Sequence, residues 1–184
     1  LYRELGEEEK SQKLFGDLAE LSPFGFYGIL AHRELGRSFT TLRTDSVTTI
    51  ENQKKLTSSH FSRALMVPTD WFIALEELDV GRRYLESFPA KDLWDVRWPL
   101  EKKEAALTLL ARLEQHTTVN LRVDELSPDE RNEILRRRPE LLFPLPFEAK
   151  IFEEAQKQGL PAALIYSIMR QESLFNPLAR SPAD

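Results

Sequence analysis

Apolar residues recur every three or four positions along most of the chain, the spacing that places them on one face of an α-helix. The clearest case covers residues 100–116. There Ala106, Leu110 and Leu113 share one side. No stretch alternates apolar and polar residues opposite a second such stretch across a hairpin turn, as paired strands would. The pattern therefore predicts an all-α protein.

Proline, glycine and capping residues divide the remaining periodic segments. Pro68 separates two predicted helices, and Gly81 either breaks the second of them or makes a packing contact. Ser127, Pro128 and Glu130 form a capping box that starts a helix reaching about Arg138. Residues 37–49 are rich in threonine and serine and are predicted to be a loop. The two helices on either side of Pro68 are predicted to cover residues 51–66 and 69–86. Two earlier helices are predicted over residues 7–21 and 23–35.

The predicted helices follow one another at irregular intervals of some twenty to forty residues and are joined by proline and glycine. Short helices in this arrangement bury their apolar stripes against the next layer. We therefore predict a superhelical array of divergent helical hairpins rather than strict repeats. Three proline residues, at 139, 144 and 146, mark the passage into the C-terminal segment.

The C-terminal segment holds the candidate chemistry. Gly159 is predicted to end one helix in a left-handed conformation, and Pro161 to open another that runs to about Phe175. The apolar stripe of this last helix is formed by Leu164, Ile165, Ile168, Met169 and Phe175. Glu172 falls within that stripe, four residues after Ile168. The spacing thus predicts a carboxylic acid on an apolar face.

A buried glutamate is a candidate general acid. Burial disfavours the carboxylate, so the pKa of Glu172 would rise and the group could protonate a leaving group near neutral pH. The alternative is a glutamate near a helix end whose carboxylate reaches water or an arginine. Periodicity by itself favours this second interpretation.

Three runs of residues carry a resemblance to a known family. They are Leu145-Pro-Phe-Glu148, residues 155–159, and Ile168-Met-Arg-Gln-Glu-Ser-Leu-Phe-Asn-Pro-Leu-Ala-Arg-Ser-Pro-Ala183. Together they resemble the start of the catalytic domain of soluble lytic transglycosylases, a family similar in fold to goose-type lysozyme that cleaves bacterial peptidoglycan. The resemblance implies two domains: residues 1–143 as a helical superhelix and linker, and residues 144–184 as the N-terminal, incomplete part of the catalytic domain.

The resemblance also implies roles for two residues and a chemistry. Glu172 matches the family's single catalytic acid/base, and Ser173 the serine that helps to hold substrate. The implied reaction breaks the β-1,4 bond between N-acetylmuramic acid and N-acetylglucosamine and leaves a 1,6-anhydro-muramyl end, with no cofactor. The segment around Tyr27 and Gly28 resembles the helices of the superhelix that precedes the catalytic domain, where both residues would serve packing.

Two later motifs of the family, a Gly-Leu-Met-Gln run and an Ala-Tyr-Asn-Ala-Gly run, are absent from this chain. A cleft needs two walls, so we expect the isolated chain to be inactive and to be part of a longer enzyme. Two alternatives remain: a non-catalytic helical scaffold that binds peptidoglycan or a protein partner, and a hydrolase of the goose-lysozyme type.

Composition narrows the classes of partner. The 184 residues carry a net charge of −5, which argues against a nucleic-acid partner; the one dense basic run, 136–138, is predicted to be a solvated helix end. There is no cysteine, and the three histidines lack metal-ligand spacing, so we expect no metal. We expect neither a membrane span nor a signal peptide in these residues. A periplasmic or envelope location follows from the resemblance alone.

The tryptophans are the remaining candidates for glycan contact. Trp71, Trp94 and Trp98 could stack on sugars, but aromatic residues at helical spacing usually lie in the core. We therefore predict that they are packing residues.

Overall fold

The computed structural model describes residues 6–37, 49–176 and 179–180. Those residues form eleven α-helices and contain no strand, which confirms the all-α prediction. The helices are α1 (Glu8–Leu21), α2 (Phe26–Glu34), α3 (Ile50–His60), α4 (Arg63–Ala74), α5 (Leu78–Glu86), α6 (Ala90–Leu93), α7 (Leu100–Arg112), α8 (His116–Asp124), α9 (Pro128–Arg137), α10 (Glu148–Gln158) and α11 (Ala162–Ser173). Nearly all of the loop predicted at 37–49 lies outside the described residues.

The helices belong to two compact units. The first unit contains α1, α2 and α9, and the second contains α3 to α8 together with α10 and α11. In the second unit the C-terminal segment from residue 140 onward therefore packs with residues 49–125. The division into a superhelix over 1–143 and a catalytic segment over 144–184 stays a prediction.

In the first unit the turn after α1 comes very close to α2. A Cβ atom on Gly28 would lie 1.8 Å from the carbonyl oxygen of Ser22, so a larger residue does not fit. Gly28 thus permits a close approach, as predicted, but by a turn rather than by a neighbouring helix. The prediction that Tyr27 packs is wrong, because its ring is exposed and meets Phe26 edge to face.

The start of α9 is the capping box predicted from its sequence. The Ser127 hydroxyl accepts a hydrogen bond from the Glu130 backbone, and the Glu130 carboxylate accepts one from the backbone of Ser127. At the other end, the prediction of a fully solvated basic run is wrong for Arg138, which is 2% exposed. The Arg138 side chain is therefore buried instead of extending into solvent.

The second unit is built around α7. Seven of its thirteen residues are buried, including every position from Ala105 to Leu110. A helix that is buried on nearly all sides must lie inside its unit, and α7 packs against both α3 and α8. It ends four residues before the predicted end at His116. Glu114 adopts a left-handed conformation (φ +56°), which ends the helix and lets α8 begin.

The prediction that Pro68 separates two helices is wrong, because Pro68 lies inside α4. Proline has no N–H, so the carbonyl of Ala64 one turn earlier loses its helical donor. The hydroxyl of Tyr84 donates to that carbonyl instead, at 2.7 Å. The helix begins where Ser62 caps the backbone of Leu65. A hydrogen bond from α5 thus replaces the one that proline removes.

Gly81 and Gly159 have different structural roles. A Cβ on Gly81 would lie 2.8 Å from a methyl carbon of Leu113, so this glycine makes a packing contact and does not break α5. Gly159 ends α10 with φ +65°. Its N–H bonds to Gln156, and the next N–H bonds back to Ala155, which is the Schellman arrangement. This turn confirms the predicted end of α10 and leads directly into α11.

Candidate functional site

The inner face of α11 holds the helix in the second unit through two polar side chains one turn apart. Tyr166 is the one buried residue of α11, and its hydroxyl donates to the carbonyl of Pro146 at 3.3 Å. Burial raises the pKa of Tyr166, and the carboxylate of Glu148 raises it further. At neutral pH Tyr166 is therefore a hydrogen-bond donor.

Arg170 is the second inner residue, and it joins three separate segments. Nη1 donates to the carbonyl of Leu142, and Nη2 donates to Oδ1 of Asn120 on α8 at 3.2 Å. Its guanidinium carbon lies 5.1 Å from the centre of the Phe143 ring. Burial lowers the pKa of Arg170, and the carboxylate of Asp124 partly opposes this. Sequence reasoning did not single out Arg170, although its i, i+4 spacing from Tyr166 is visible in the sequence.

Glu172 lies on the outer face of α11. Its side chain is exposed, as are Leu164 and Ile168 at eight and four residues before it. Of the two interpretations of Glu172, the exposed carboxylate near a helix end, which periodicity favours, is the one that the described chain shows. The carboxylate lies in line with two large apolar side chains on the exposed face. Among the described residues, none forms a hydrogen bond or ion pair with it.

Ser173 is half-buried at the last position of α11. Its hydroxyl donates to the carbonyl of Met169 at 3.1 Å, a local bond within the helix. Adjacent helical positions are about 100° apart around the axis, so Ser173 and Glu172 project in different directions. Its hydroxyl oxygen keeps its capacity to accept a further hydrogen bond.

The chain after Ser173 turns inward instead of continuing the helix to Phe175 as predicted. Leu174 and Phe175 both have positive φ, +48° and +63°. Each costs on the order of 1–2 kcal/mol for a residue with a Cβ. The turn buries the Phe175 ring, which meets His116 edge to face at 6.0 Å, and burying a phenylalanine stabilises by about 1.5–3 kcal/mol. Ring burial therefore offsets much of the backbone cost.

The tryptophans divide between packing and exposure. Trp94 is buried and donates its indole N–H to Glu125 at 2.6 Å, as a packing residue would. Trp98 is half-buried between Phe61 and the ammonium of Lys102. Trp71 does not fit the prediction, because it is 71% exposed on α4. All three tryptophans lie among the described residues, and Trp71 is the most exposed of them.

Among the described residues, no group of three or more histidine, cysteine, aspartate or glutamate side chains converges as metal ligands would. No helix among those residues is both long and apolar enough to cross a membrane.

Comparison with known proteins identifies the C-terminal segment. Residues 149–184 match the family model described as "Transglycosylase SLT domain". This confirms the resemblance inferred from the sequence motifs, for a segment of about a fifth of the chain that includes α11 and Glu172. No curated protein and no solved structure matches the chain.

Proposed function

We propose that this chain contributes the acid/base helix of a lytic transglycosylase that acts on peptidoglycan. The observation that carries the proposal is the match of residues 149–184 to the transglycosylase family model, because that segment contains all of α11. The placement of Glu172 on an outward face beside Leu164 and Ile168 supports it. A bound glycan could reach the carboxylate from that side.

In the proposed reaction Glu172 first acts as an acid. It protonates the glycosidic oxygen between N-acetylmuramic acid and N-acetylglucosamine while the substrate's own acetamido group stabilises the positive charge at the anomeric carbon. The same carboxylate then removes the proton from the muramyl 6-hydroxyl as that oxygen closes onto the anomeric carbon. One carboxylate serves both steps, in contrast to the usual glycosidase pair. No water is consumed, so the site has to exclude water.

The need to exclude water bears on the isolated chain. Glu172 and its apolar neighbours are exposed, so the described residues supply one wall of a cleft and leave the carboxylate in contact with solvent. We therefore propose that the chain alone is inactive. A second element has to cover this face in the active enzyme, which would both exclude water and bury the carboxylate. We propose a periplasmic or envelope location because that is where the substrate lies.

The test compares two glutamates within the matched segment, in the natural gene product that contains these residues. Glu172→Gln keeps the shape of the side chain but removes the titratable proton, and we expect at least a thousandfold loss of anhydro-muramyl product. Glu154→Gln, at an exposed position of α10, is the control and should retain normal turnover. Wild-type turnover by the Glu172→Gln protein would show that another group is the acid.

Mass spectrometry of the same reaction separates the enzymatic alternatives. A transglycosylase product is lighter than the hydrolysis product by one water, because ring closure replaces the addition of water. Hydrolysis products alone would favour an enzyme of the goose-lysozyme type.

A non-catalytic scaffold remains the second candidate, and one observation favours it. Val67 and Trp71 on α4 and Leu75 directly after it form an exposed apolar stripe, spaced four residues apart, in a segment that the family match does not include. Binding of undigested peptidoglycan that is lost in Trp71→Ala, in a protein without any turnover, would support this function in place of catalysis.

A further inference from the structure

We propose that Arg170 is a positioning residue, which holds α11 in the rotation that turns Glu172 toward substrate. The inference rests on the proposed function, because it concerns the same helix. Residues two apart on an α-helix project about 200° apart around its axis. Arg170 and Glu172 therefore point in nearly opposite directions, and whatever holds Arg170 inward turns Glu172 outward.

Arg170 anchors α11 at two points, which lie on different parts of the second unit. One guanidinium nitrogen bonds to the carbonyl of Leu142, which lies in the passage before α10. The other bonds to the side chain of Asn120, which lies on α8. A single contact would leave a helix free to roll about its axis. Two acceptors on separate segments fix both its rotation and its position along the axis.

The acceptor on α8 is itself held in place. The amide nitrogen of Asn120 donates to the carbonyl of His116 at 2.8 Å, which leaves the amide oxygen available to Arg170. A chain of hydrogen bonds thus connects the backbone of α8, through the Asn120 side chain, to the guanidinium of Arg170. This route links the helix that carries Glu172 to α8, which in turn packs against α7.

Apolar packing of α11 is too sparse to fix the rotation alone. Tyr166 is its one buried residue, whereas Leu164 and Ile168 are exposed. Ile165 and Met169 are only half-buried, so burial of apolar side chains gives little preference for one rotation of the helix. Directional hydrogen bonds from Arg170 supply that preference. A lysine carries all its donors on one nitrogen, so it lacks the two separate nitrogens with which the planar fork of Arg170 meets its two acceptors.

The experiment measures local order and catalysis in the same variants of the natural gene product. Arg170→Ala removes both bonds, and Arg170→Lys retains the charge. Arg112→Ala is the matched control, since Arg112 also donates two hydrogen bonds in the second unit, to Thr57 and Asp70, on α3 and α4. Amide exchange reports order in α11, kcat is normalised to the folded fraction, and KM is measured in the same assay.

We expect Arg170→Ala to accelerate exchange within α11 at least tenfold and to lower kcat by about 10- to 100-fold with a smaller change in KM, because misplacement of the acid affects the transition state most. Arg170→Lys should recover less than half of the lost kcat. Arg112→Ala should leave both α11 exchange and the normalised kcat near wild type.

Two outcomes would overturn the inference. Unchanged exchange in α11 of the Arg170→Ala protein would show that Arg170 does not anchor the helix, whatever the activity. Faster exchange with an unchanged kcat would show that Arg170 stabilises α11 but does not position Glu172 for catalysis. Failure of the proposed function gives a different result: the wild-type protein would release no anhydro-muramyl product. The exchange measurement would still show whether Arg170 anchors α11.

Discussion

The helices α7 and α11 are nearly equal in length but are stabilised in different ways. α7 is buried on most sides, and its interior positions are filled by alanine and leucine. α11 has one buried residue, is held by polar anchors on its inner face, and exposes apolar residues on its outer face. The helix that contributes most to the core has no candidate chemistry. The helix with the candidate acid is incompletely covered, which is typical of a surface that binds something else.

The sharpest test of this comparison is amide exchange in the isolated chain. We expect amides in the middle of α7 to exchange only through global unfolding and those of α11 through local opening, a difference of several powers of ten in rate. Exchange in α11 as slow as in α7 would contradict the view that α11 is weakly held.

Truncation of the core should have the largest effect on stability. Leu107 in α7 is 0% exposed, so Leu107→Ala loses the burial of the side chain and leaves a cavity, and we expect a loss of about 2–5 kcal/mol in the free energy of unfolding. Urea denaturation followed by tryptophan fluorescence measures it. A loss below about 1 kcal/mol would mean that α7 is not the centre of the second unit.

Acidification should have an intermediate effect through His116, which packs on Phe175 at the end of the α11 segment. Burial lowers the pKa of His116, and the positive charge of Arg82 lowers it further. The unfolded chain therefore binds the proton first. The contribution of neutral His116 to the free energy of unfolding is fully present above the unfolded pKa of about 6.5. It falls as the pH drops below that value toward the folded pKa.

Urea denaturation at pH 8 and pH 5 tests this, with His116→Gln as the variant that no longer titrates. Its loss of stability between the two pH values should be smaller than that of the wild type. His32 in the first unit contributes a loss of the same sign, because burial lowers its pKa as well. An identical pH dependence in the His116→Gln protein would exclude His116 as a source.

The smallest effect on folding is expected at the outer face of α11. Ile168 is 53% exposed, so Ile168→Ser should change the free energy of unfolding by less than about 0.5 kcal/mol. The same change should reduce self-association of the isolated chain, measured by sedimentation, because it interrupts the exposed apolar face. A large destabilisation would show that this face is covered within the chain.

Local sequence signals determined much of the fold. The Ser127 capping box, the left-handed Gly159 and the apolar spacing of α7 each specify their structure through neighbouring residues, so they could be predicted. Pro68 shows the limit of this reasoning. The penalty for proline inside a helix is real, but Tyr84, sixteen residues after Pro68 on α5, supplies the missing hydrogen bond.

The candidate site, too, could be predicted from the sequence only in part. The motif around Glu172 was readable because it is a continuous run of residues, and the family match to 149–184 bears out that resemblance. Periodicity could not say how α11 is rotated, since its apolar stripe is only partly covered: Ile165 and Met169 are half-buried, whereas Leu164 and Ile168 are exposed. Only the tertiary structure decided this, because the acceptors of Arg170, the carbonyl of Leu142 and the side chain of Asn120, come from distant parts of the chain. Their directional bonds turn one face inward and leave Glu172 on the other.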